Sequence, residues 1–517
     1  MVDAYKTDQP SKTGWVSIVI LGMLCLAALG VRLVQLEVRP MHTDEAVHGM
    51  FLVNLIEDGV YRYNPTEYHG ATLYYFTLPL TWIAGQRSGA ALTESTLRLL
   101  PVLCSVALIL LLALWRPILG GGAVCWAALF TAVSPINLYY SRYYIHESLL
   151  VLFFFAFLTC LMRYKLKPRM GWVLAAGAFA GLAHATKVTV VLMFAALAAA
   201  WLLASAYSQW REGRALRMAW AAIPWKLLAA GGGVAIAVSV AFHTSFFSNI
   251  QGAVESVQTY FYFADRATGQ GHEKPWFTHL QWIAWSRSGG FVWSEALLLG
   301  LACVGLGLSF RKSSRLGTVP LLLAAYALFL LAMYSIIPYK TPWLMLGPMQ
   351  IIALLAGVGA ALLTALPQSI WRKGFLVLAV LAGTTQLAVQ AYRAAFRFAA
   401  DARVPYCYAH TSPDAVRLAE RVQQALLLVP EQEMQWVQVA AQEYWPLPWY
   451  FRDREYVGYW QTLPETQRAP VIVLDMPQSA KEEAILRQTH TATLAGLRPG
   501  VILALWIRND IWDTLIR

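Results

Sequence analysis

The chain has 517 residues, of which 58% are hydrophobic and only 13% charged, and its mean hydropathy is +0.49. A soluble domain carries about 25% charged residues, so composition excludes a water-soluble globular protein and predicts an integral membrane protein. The formal charge of +11 would suit nucleic acid, but its distribution along the chain excludes that partner.

In chain order, apolar runs able to cross a hydrocarbon layer lie near 15–36, 97–115, 119–139, 148–162, 171–186, 188–207, 226–244, 291–310, 318–337, 343–366 and 374–392. A span needs about 20 such residues, and the pattern predicts about eleven transmembrane helices. No small-residue cleavage site follows the first run, which reads as a retained anchor. Residues 37–96 then form a first outer loop, too long for a plain connector. In it, Glu45–Glu57 carries Ala46, Met50, Val53, Leu55 and Ile56 on one stripe, and Leu73–Trp82 is a second apolar segment. Both are expected to lie along the bilayer surface. Between them run Tyr61-Arg62-Tyr63-Asn64-Pro65 and Tyr68-His69-Gly70, suited to an interfacial cleft. A second long outer loop is expected over 245–290. After about residue 395 the composition changes. Pro413-Asp414 opens a helical pattern to about Leu428, Trp436–Ala441 is apolar, 471–474 alternates as a strand, 479–489 is helical and 501–507 apolar. Alternating strands and helices predict a small α/β domain over 396–517.

The cations set the orientation. Lys6, Lys12, Arg116, Arg163, Lys165, Lys167, Arg169, Arg211, Arg214, Arg217, Lys226, Arg311, Lys312, Arg315, Arg372 and Lys373 fall in alternate connections, against Asp3, Asp8 and Glu212. By the positive-inside rule that side is cytoplasmic, so a multi-pass cell-membrane protein is expected with its N-terminus inside and its C-terminal domain outside. All ten histidines map to or near the outer face, as do the acids at 44 and 45. Five cysteines lie in apolar runs and Cys407 outside them, with no CxxC, so neither a zinc knuckle nor a disulfide scaffold is indicated.

The outer face carries the candidate chemistry. Asp44 and Glu45 sit between His42 and His48. Asp44 as N-cap with Glu45 in the first turn would be ordinary helix capping. An acid at the mouth of a bundle is also what a general base requires, and the flanking histidines favour that role. Arg142, His146 and Glu147 form a second cluster; Arg142 and His146 share a face if the turn is helical. An interfacial ion pair among belt tyrosines accounts for them equally well. Lys187 and Lys340, the latter within Pro338-Tyr339-Lys340-Thr341-Pro342-Trp343, are outer-side cations that run against the positive-inside bias. They either snorkel or meet an anion such as a lipid phosphate. His42, Asp44, His48 and His69 lack a paired ligand spacing such as HExxH, so a divalent metal has weak support. Gly120-Gly121-Gly122 lacks the Lys-Ser/Thr of a nucleotide loop, and Gly231-Gly232-Gly233 reads as a helix-packing patch.

An Asp-Glu pair opening the first outer loop, a Leu-Tyr-Tyr segment closing it, an Arg…Glu turn, a Gly…Thr-Lys turn and a Pro-Tyr-Lys-x-Pro-Trp turn occur here in this order. The set resembles the GT-C membrane glycosyltransferases. Within them it is similar to family 39, the protein mannosyltransferase and lipid A aminoarabinose transferase branch, nearest the flippase-activity-associated members of glycosylation gene clusters. The resemblance covers about residues 15–395. It implies inverting transfer of a sugar from a polyprenyl-phosphate carrier to a glycan, lipid or protein acceptor on the outer leaflet, without a cofactor. By position, Asp44 would be the base, with Glu45 beside it, and Glu147 would position the acceptor or Asp44. Lys187, Lys340 and Arg142 would hold the donor phosphate, and His48, His69, His146 and Tyr339 would line the substrate site. Where the relatives carry Pro-Pro-Leu-Tyr, this chain has His69-Gly70-Ala71-Thr72-Leu73-Tyr74.

Two other readings stay open. A transporter or flippase partner would move a lipid-linked glycan without chemistry, and would be expected to show inverted repeats, which the sequence lacks. Alternatively the C-terminal domain, with Trp445-Pro446-Leu447-Pro448-Trp449-Tyr450, would be a glycan-binding module on a passive anchor.

Overall fold

A computed structural model describes residues 12–66, 69–213, 225–266, 273–310, 316–366, 369–430, 433–464, 468–476 and 480–517. Lys6, Arg214, Arg217, Arg311, Lys312 and Arg315 of the topology signal, and Tyr68 of the outer loop, lie outside them.

The helices follow the apolar runs closely. They are α1 Lys12–Leu33, α2 Thr43–Asp58, α3 Thr72–Ile83, α4 Glu94–Leu111, a short α5 Arg116–Leu119, α6 Gly121–Val133, α7 Pro135–Tyr140, α8 Glu147–Leu166, α9 Met170–His184, α10 Val190–Arg211 and α11 Trp225–His243. After them come α12 Gly252–Arg266, α13 Thr278–Ala284, the hairpin β1 Ser286–Ser288 and β2 Phe291–Trp293, α14 Ala296–Ser309, α15 Val319–Ile336, α16 Leu346–Ala365 and α17 Ile370–Tyr392. Among the described residues, eight helices are long and apolar enough to cross a membrane, and α6, α9 and α14 are shorter apolar helices. Each of the eleven expected runs therefore has its helix. The run 119–139 is broken where Ser134-Pro135 ends α6 and starts α7, because proline has no amide to continue the ladder.

The centre of the bundle is α16, buried on nearly every side from Leu346 to Ala360, as an all-round apolar helix requires. It packs against α14, α6 and α15. Small residues allow the closest approaches, Gly305 of α14 against the backbone of Gly359 and Gly177 of α9 against the Gly231 carbonyl. Of the Gly231–Gly233 patch, only Gly231 takes part in such a contact.

The two surface-lying segments expected in the first loop are not alike. α3 packs on α4 and leaves Trp82 and Ile83 exposed. α2 is instead buried on several sides, with Glu45, Ala46, His48, Gly49, Leu52, Val53 and Leu55 covered. The helix that matches an interfacial pattern is α12, in the second outer loop. It exposes Val254, Val257 and Phe261 while Thr259 reaches back to the Pro65 carbonyl at 3.1 Å.

The C-terminal domain comprises α18 Pro413–Leu426, β3 Val437–Ala440, α19 Leu447–Tyr450, β4 Val457–Trp460, β5 Val471–Asp475, α20 Ala480–Leu486, β6 His490–Arg498, β7 Val501–Arg508 and α21 Asn509–Leu515. One five-stranded sheet has the order β4-β3-β5-β7-β6. β3 pairs in parallel with β4 and β5, and β7 lies antiparallel between β5 and β6. α18 covers one face with Ala415, Leu418, Ala419 and Val422, while Leu486 packs on the other with Ile472, Leu474 and Trp506. The central β5 is buried throughout Val471–Leu474, which is why it was legible as a strand. β4 and β6 expose more of their side chains and carry no such continuous apolar run.

Candidate active site

The Asp44 segment is built on a capping box, though not the expected one. His42, not Asp44, is the N-cap of α2: its Nδ1 accepts the Asp44 amide at 3.0 Å, and Glu45 Oε2 accepts the His42 amide at 3.1 Å. Because Nδ1 is the acceptor, the proton is on Nε2, which donates to the Tyr408 carbonyl at 2.8 Å. Burial lowers the His42 pKa, keeping the ring neutral. Asp44 is thereby released from capping. Its carboxylate stands 3.9 Å from His42 Nδ1 and is 40% exposed.

Glu45, expected beside Asp44 in catalysis, is a structural group. It has no exposed surface, and Arg39 Nη2 and Arg98 Nε reach Oε1 at 2.9 Å each, while Arg98 Nη2 reaches Oε2 at 3.0 Å. The Tyr144 amide adds a further bond at 2.9 Å. Burial by itself would raise its pKa; the two guanidinium groups outweigh that and hold it at about 2. A base so saturated cannot accept a proton from a substrate.

The Arg142 cluster is also corrected. The segment between α7 and α8 is not helical, so Arg142 and His146 diverge. Arg142 Nη1 donates to the Val34 carbonyl at 2.6 Å and Nη2 to Gln35 at 2.8 Å, just past the end of α1, with the guanidinium over Phe396. It satisfies main-chain carbonyls there rather than facing Lys187. His146 turns the other way and donates Nε2–H to the Gly70 carbonyl at 2.9 Å. Its Nδ1 is buried with no hydrogen-bond partner among the described residues.

Lys187 and Glu147 do meet. They form a buried ion pair at the N-terminal end of α8. Gly70 makes the neighbouring contact, its amide donating to the Thr186 carbonyl at 3.1 Å, and any Cβ there would fall on the Ala185 carbonyl. His48, His69 and His146 gather beside this pair, with ring centroids 4.6 Å apart for His48–His146, 5.1 Å for His69–His146 and 6.2 Å for His48–His69. Tyr74 Oη lies 3.0 Å from His48 Nδ1. Burial lowers the His48 pKa to about 4, with Asp44 pulling it up and Lys187 pushing it down, so both charges act on this one ring. Among the described residues no three or more His, Cys, Asp or Glu side chains are placed to share a metal ion.

The Pro338–Trp343 turn approaches from the other side. Lys340 is 1% exposed and donates to the Ile337 carbonyl; burial lowers its pKa. Tyr339 is partly exposed and bridges to Glu273 through the backbone. Trp343 is the residue that joins the turn to the Asp44 segment, its ring edge-on to His42 at 6.2 Å and 5.7 Å from Tyr408. The Lys340 turn thus meets the N-cap of α2 through Trp343, while the Lys187 turn touches the loop after α2 at Gly70.

Arg39, Arg98, Tyr408 and His410 hold this segment and were not anticipated. Arg39 and Arg98 had a signal, Arg39 as a cation in the first expected outer loop and Arg98 as a cation inside the apolar run 97–115. Tyr408 and His410 carried none.

The family profile described as dolichyl-phosphate-mannose-protein mannosyltransferase matches residues 81–230. By sequence alone, no curated protein matches the chain. Solved structures do match in fold. ArnT from Cupriavidus metallidurans bound to undecaprenyl phosphate superposes with a TM-score of 0.61 at 15% identity, over 96% of this chain and 98% of that one. Archaeal oligosaccharyltransferase AglB from Archaeoglobus fulgidus, in complex with an inhibitory peptide and a dolichol-phosphate, gives 0.56 at 13% identity over 96% and 75%. The chain therefore has the GT-C fold of multi-pass membrane glycosyltransferases, with a small sheet domain at its C-terminus.

Proposed function

We propose that this protein is a glycosyltransferase that moves a sugar from a polyprenyl-phosphate carrier to an acceptor hydroxyl on the outer face of the cell membrane, with inversion. The observation that carries the reading is the separation of roles among three acids. Glu45 and Glu147 are buried in ion pairs, whereas Asp44 keeps an open carboxylate beside a neutral His42. A profile match to a mannosyltransferase family and a GT-C fold shared with a protein bound to undecaprenyl phosphate support a lipid-linked donor.

In this scheme the acceptor oxygen attacks the anomeric carbon and its proton passes to Asp44. The bond from that carbon to the phosphate oxygen breaks on the opposite face, and polyprenyl phosphate leaves with the electron pair. Lys187 and Lys340 neutralise the developing charge, the electrostatic contribution that is usually the largest in such sites. With the leaving group stabilised by ammonium groups, no general acid is needed and no divalent cation is required for charge. The orientation follows the positive-inside pattern, N-terminus cytoplasmic and C-terminal domain outside. Purified Asp44→Asn protein, incubated with polyprenyl-phosphate sugars, should bind donor as the wild type does and transfer none. Transfer at the wild-type rate would overturn the assignment.

A further inference from the structure

The segment from Arg39 to Gly49 is held by groups that come from beyond residue 400. His410 Nε2 lies 3.3 Å from Arg39 Nη1. The Met41 amide donates to Tyr450 Oη at 2.9 Å, and Thr411 Oγ1 donates to the Met41 carbonyl at 2.6 Å. The Tyr408 carbonyl fixes the His42 ring, as described. Trp449, fully buried, lies against Gly49 and donates to Glu94 Oε1 at 2.8 Å. Arg498 completes the series: Nη1 donates to Thr43 Oγ1 at 3.0 Å, and Nη2 pairs with Glu443.

Arg498 stands at an irregularity of the sheet. The β6–β7 register slips between Gly496, opposite Ile502, and Arg498, opposite Val501. Such a slip re-aims a side chain, and here the guanidinium is directed at the membrane domain and left only 14% exposed. Thr43 is the first residue of α2 and Asp44 the second. The guanidinium thus holds the residue next to Asp44 through Thr43 Oγ1, as the Tyr408 carbonyl holds the His42 ring one residue before Thr43.

We infer that Arg498, acting through Thr43, is a positioning residue for Asp44, which makes the C-terminal domain part of the catalytic apparatus rather than a tethered module. The inference rests on the reading of Asp44 as the base. It is tested on the intact protein in lipid nanodiscs with Arg498→Ala, Arg498→Lys, Thr43→Val and the Arg498→Ala/Thr43→Val double variant. A displacement of about 1 Å at a reacting group costs on the order of 100-fold. Arg498→Ala and Thr43→Val should therefore each lower kcat roughly 10- to 100-fold, with both KM values within about twofold. The double variant should be no slower than the slower single one, since coupled residues are not additive, and Arg498→Lys should recover part of the rate. Carbodiimide modification of Asp44, read by mass spectrometry, should change several-fold in Arg498→Ala at an unchanged melting temperature. Losses that multiply in the double variant, a loss confined to the acceptor KM, or unchanged Asp44 modification would each overturn the inference. If the wild type transfers no sugar, the functional reading fails while Asp44 modification still decides whether Arg498 sets its surroundings.

Discussion

The ammonium of Lys187 is bound to the carboxylate of Glu147, forty residues earlier in the chain, with both side chains buried. The cation expected to grip a phosphate is thus already paired within the protein. Its charge is offset locally, and an arriving phosphate would share the ammonium with Glu147.

Breaking such a pair by removing one partner strands the other charge, at about 3–5 kcal/mol. Glu147→Gln and Lys187→Met should each lower the melting temperature sharply, and the double variant should lie closer to the wild type than either single one. Additive losses in the double variant would show that the two side chains do not stabilise one another.

Acid should destabilise the fold in two stages. Burial holds His48 at a folded pKa of about 4 against an ordinary 6.5, and Arg39 and Arg98 hold Glu45 at about 2 against an ordinary 4.5. In both cases the unfolded chain binds the proton more readily, so stability falls as pH falls. The His48 contribution is complete above about pH 6.5 and lost by about 4; that of Glu45 is complete above about 4.5 and lost by about 2, and is worth roughly 3 kcal/mol. Melting temperature measured from pH 8 to pH 3 should show the upper stage diminish in His48→Gln, the remainder belonging to His42, His146 and His410, whose pKa values burial also lowers. A curve that is unchanged in that variant would refute the assignment.

Gly70 lets its strand of loop touch the backbone of the Lys187 turn. Gly70→Ala must push the two apart, pulling its carbonyl from His146. Transfer should fall by at least about tenfold while the protein still folds, since misplacement of about 1 Å suffices. Full activity would mean that the loop and the turn need not touch.

Arg142→Lys separates two roles for that residue. A lysine offers a point charge and cannot bridge the Val34 and Gln35 carbonyls as a planar fork does. Stability should drop by about 2 kcal/mol, the scale of hydrogen bonds to a charged group, with the donor KM unchanged. A tenfold rise in that KM at unchanged stability would return Arg142 to the phosphate site.

Much of the architecture was legible in the residues because a bilayer leaves few choices. Every backbone polar group in hydrocarbon must be satisfied within its own helix, so α1, α4, α8 and α16 could be placed from apolar length alone. The turns at Lys187 and Lys340 were legible for a related reason, as cations on the side where the topology signal disfavours them. The C-terminal sheet was only half readable, since β4 and β6 lie at its edges and lack the continuous buried run of β5.

What the sequence by itself determined is a polytopic helical protein with the acids at 44, 45 and 147 and most histidines expected at one end of the bundle, since hydrophobic length and charge asymmetry act locally along the chain. Which acid is open was decided only by tertiary structure. Asp44 and Glu45 are neighbours and chemically alike, yet Arg39 and Arg98 take one carboxylate into a buried ion pair while Asp44 stays free of such a pair. Coulomb energy depends on distance through space and on desolvation, and neither is recorded in the order of residues.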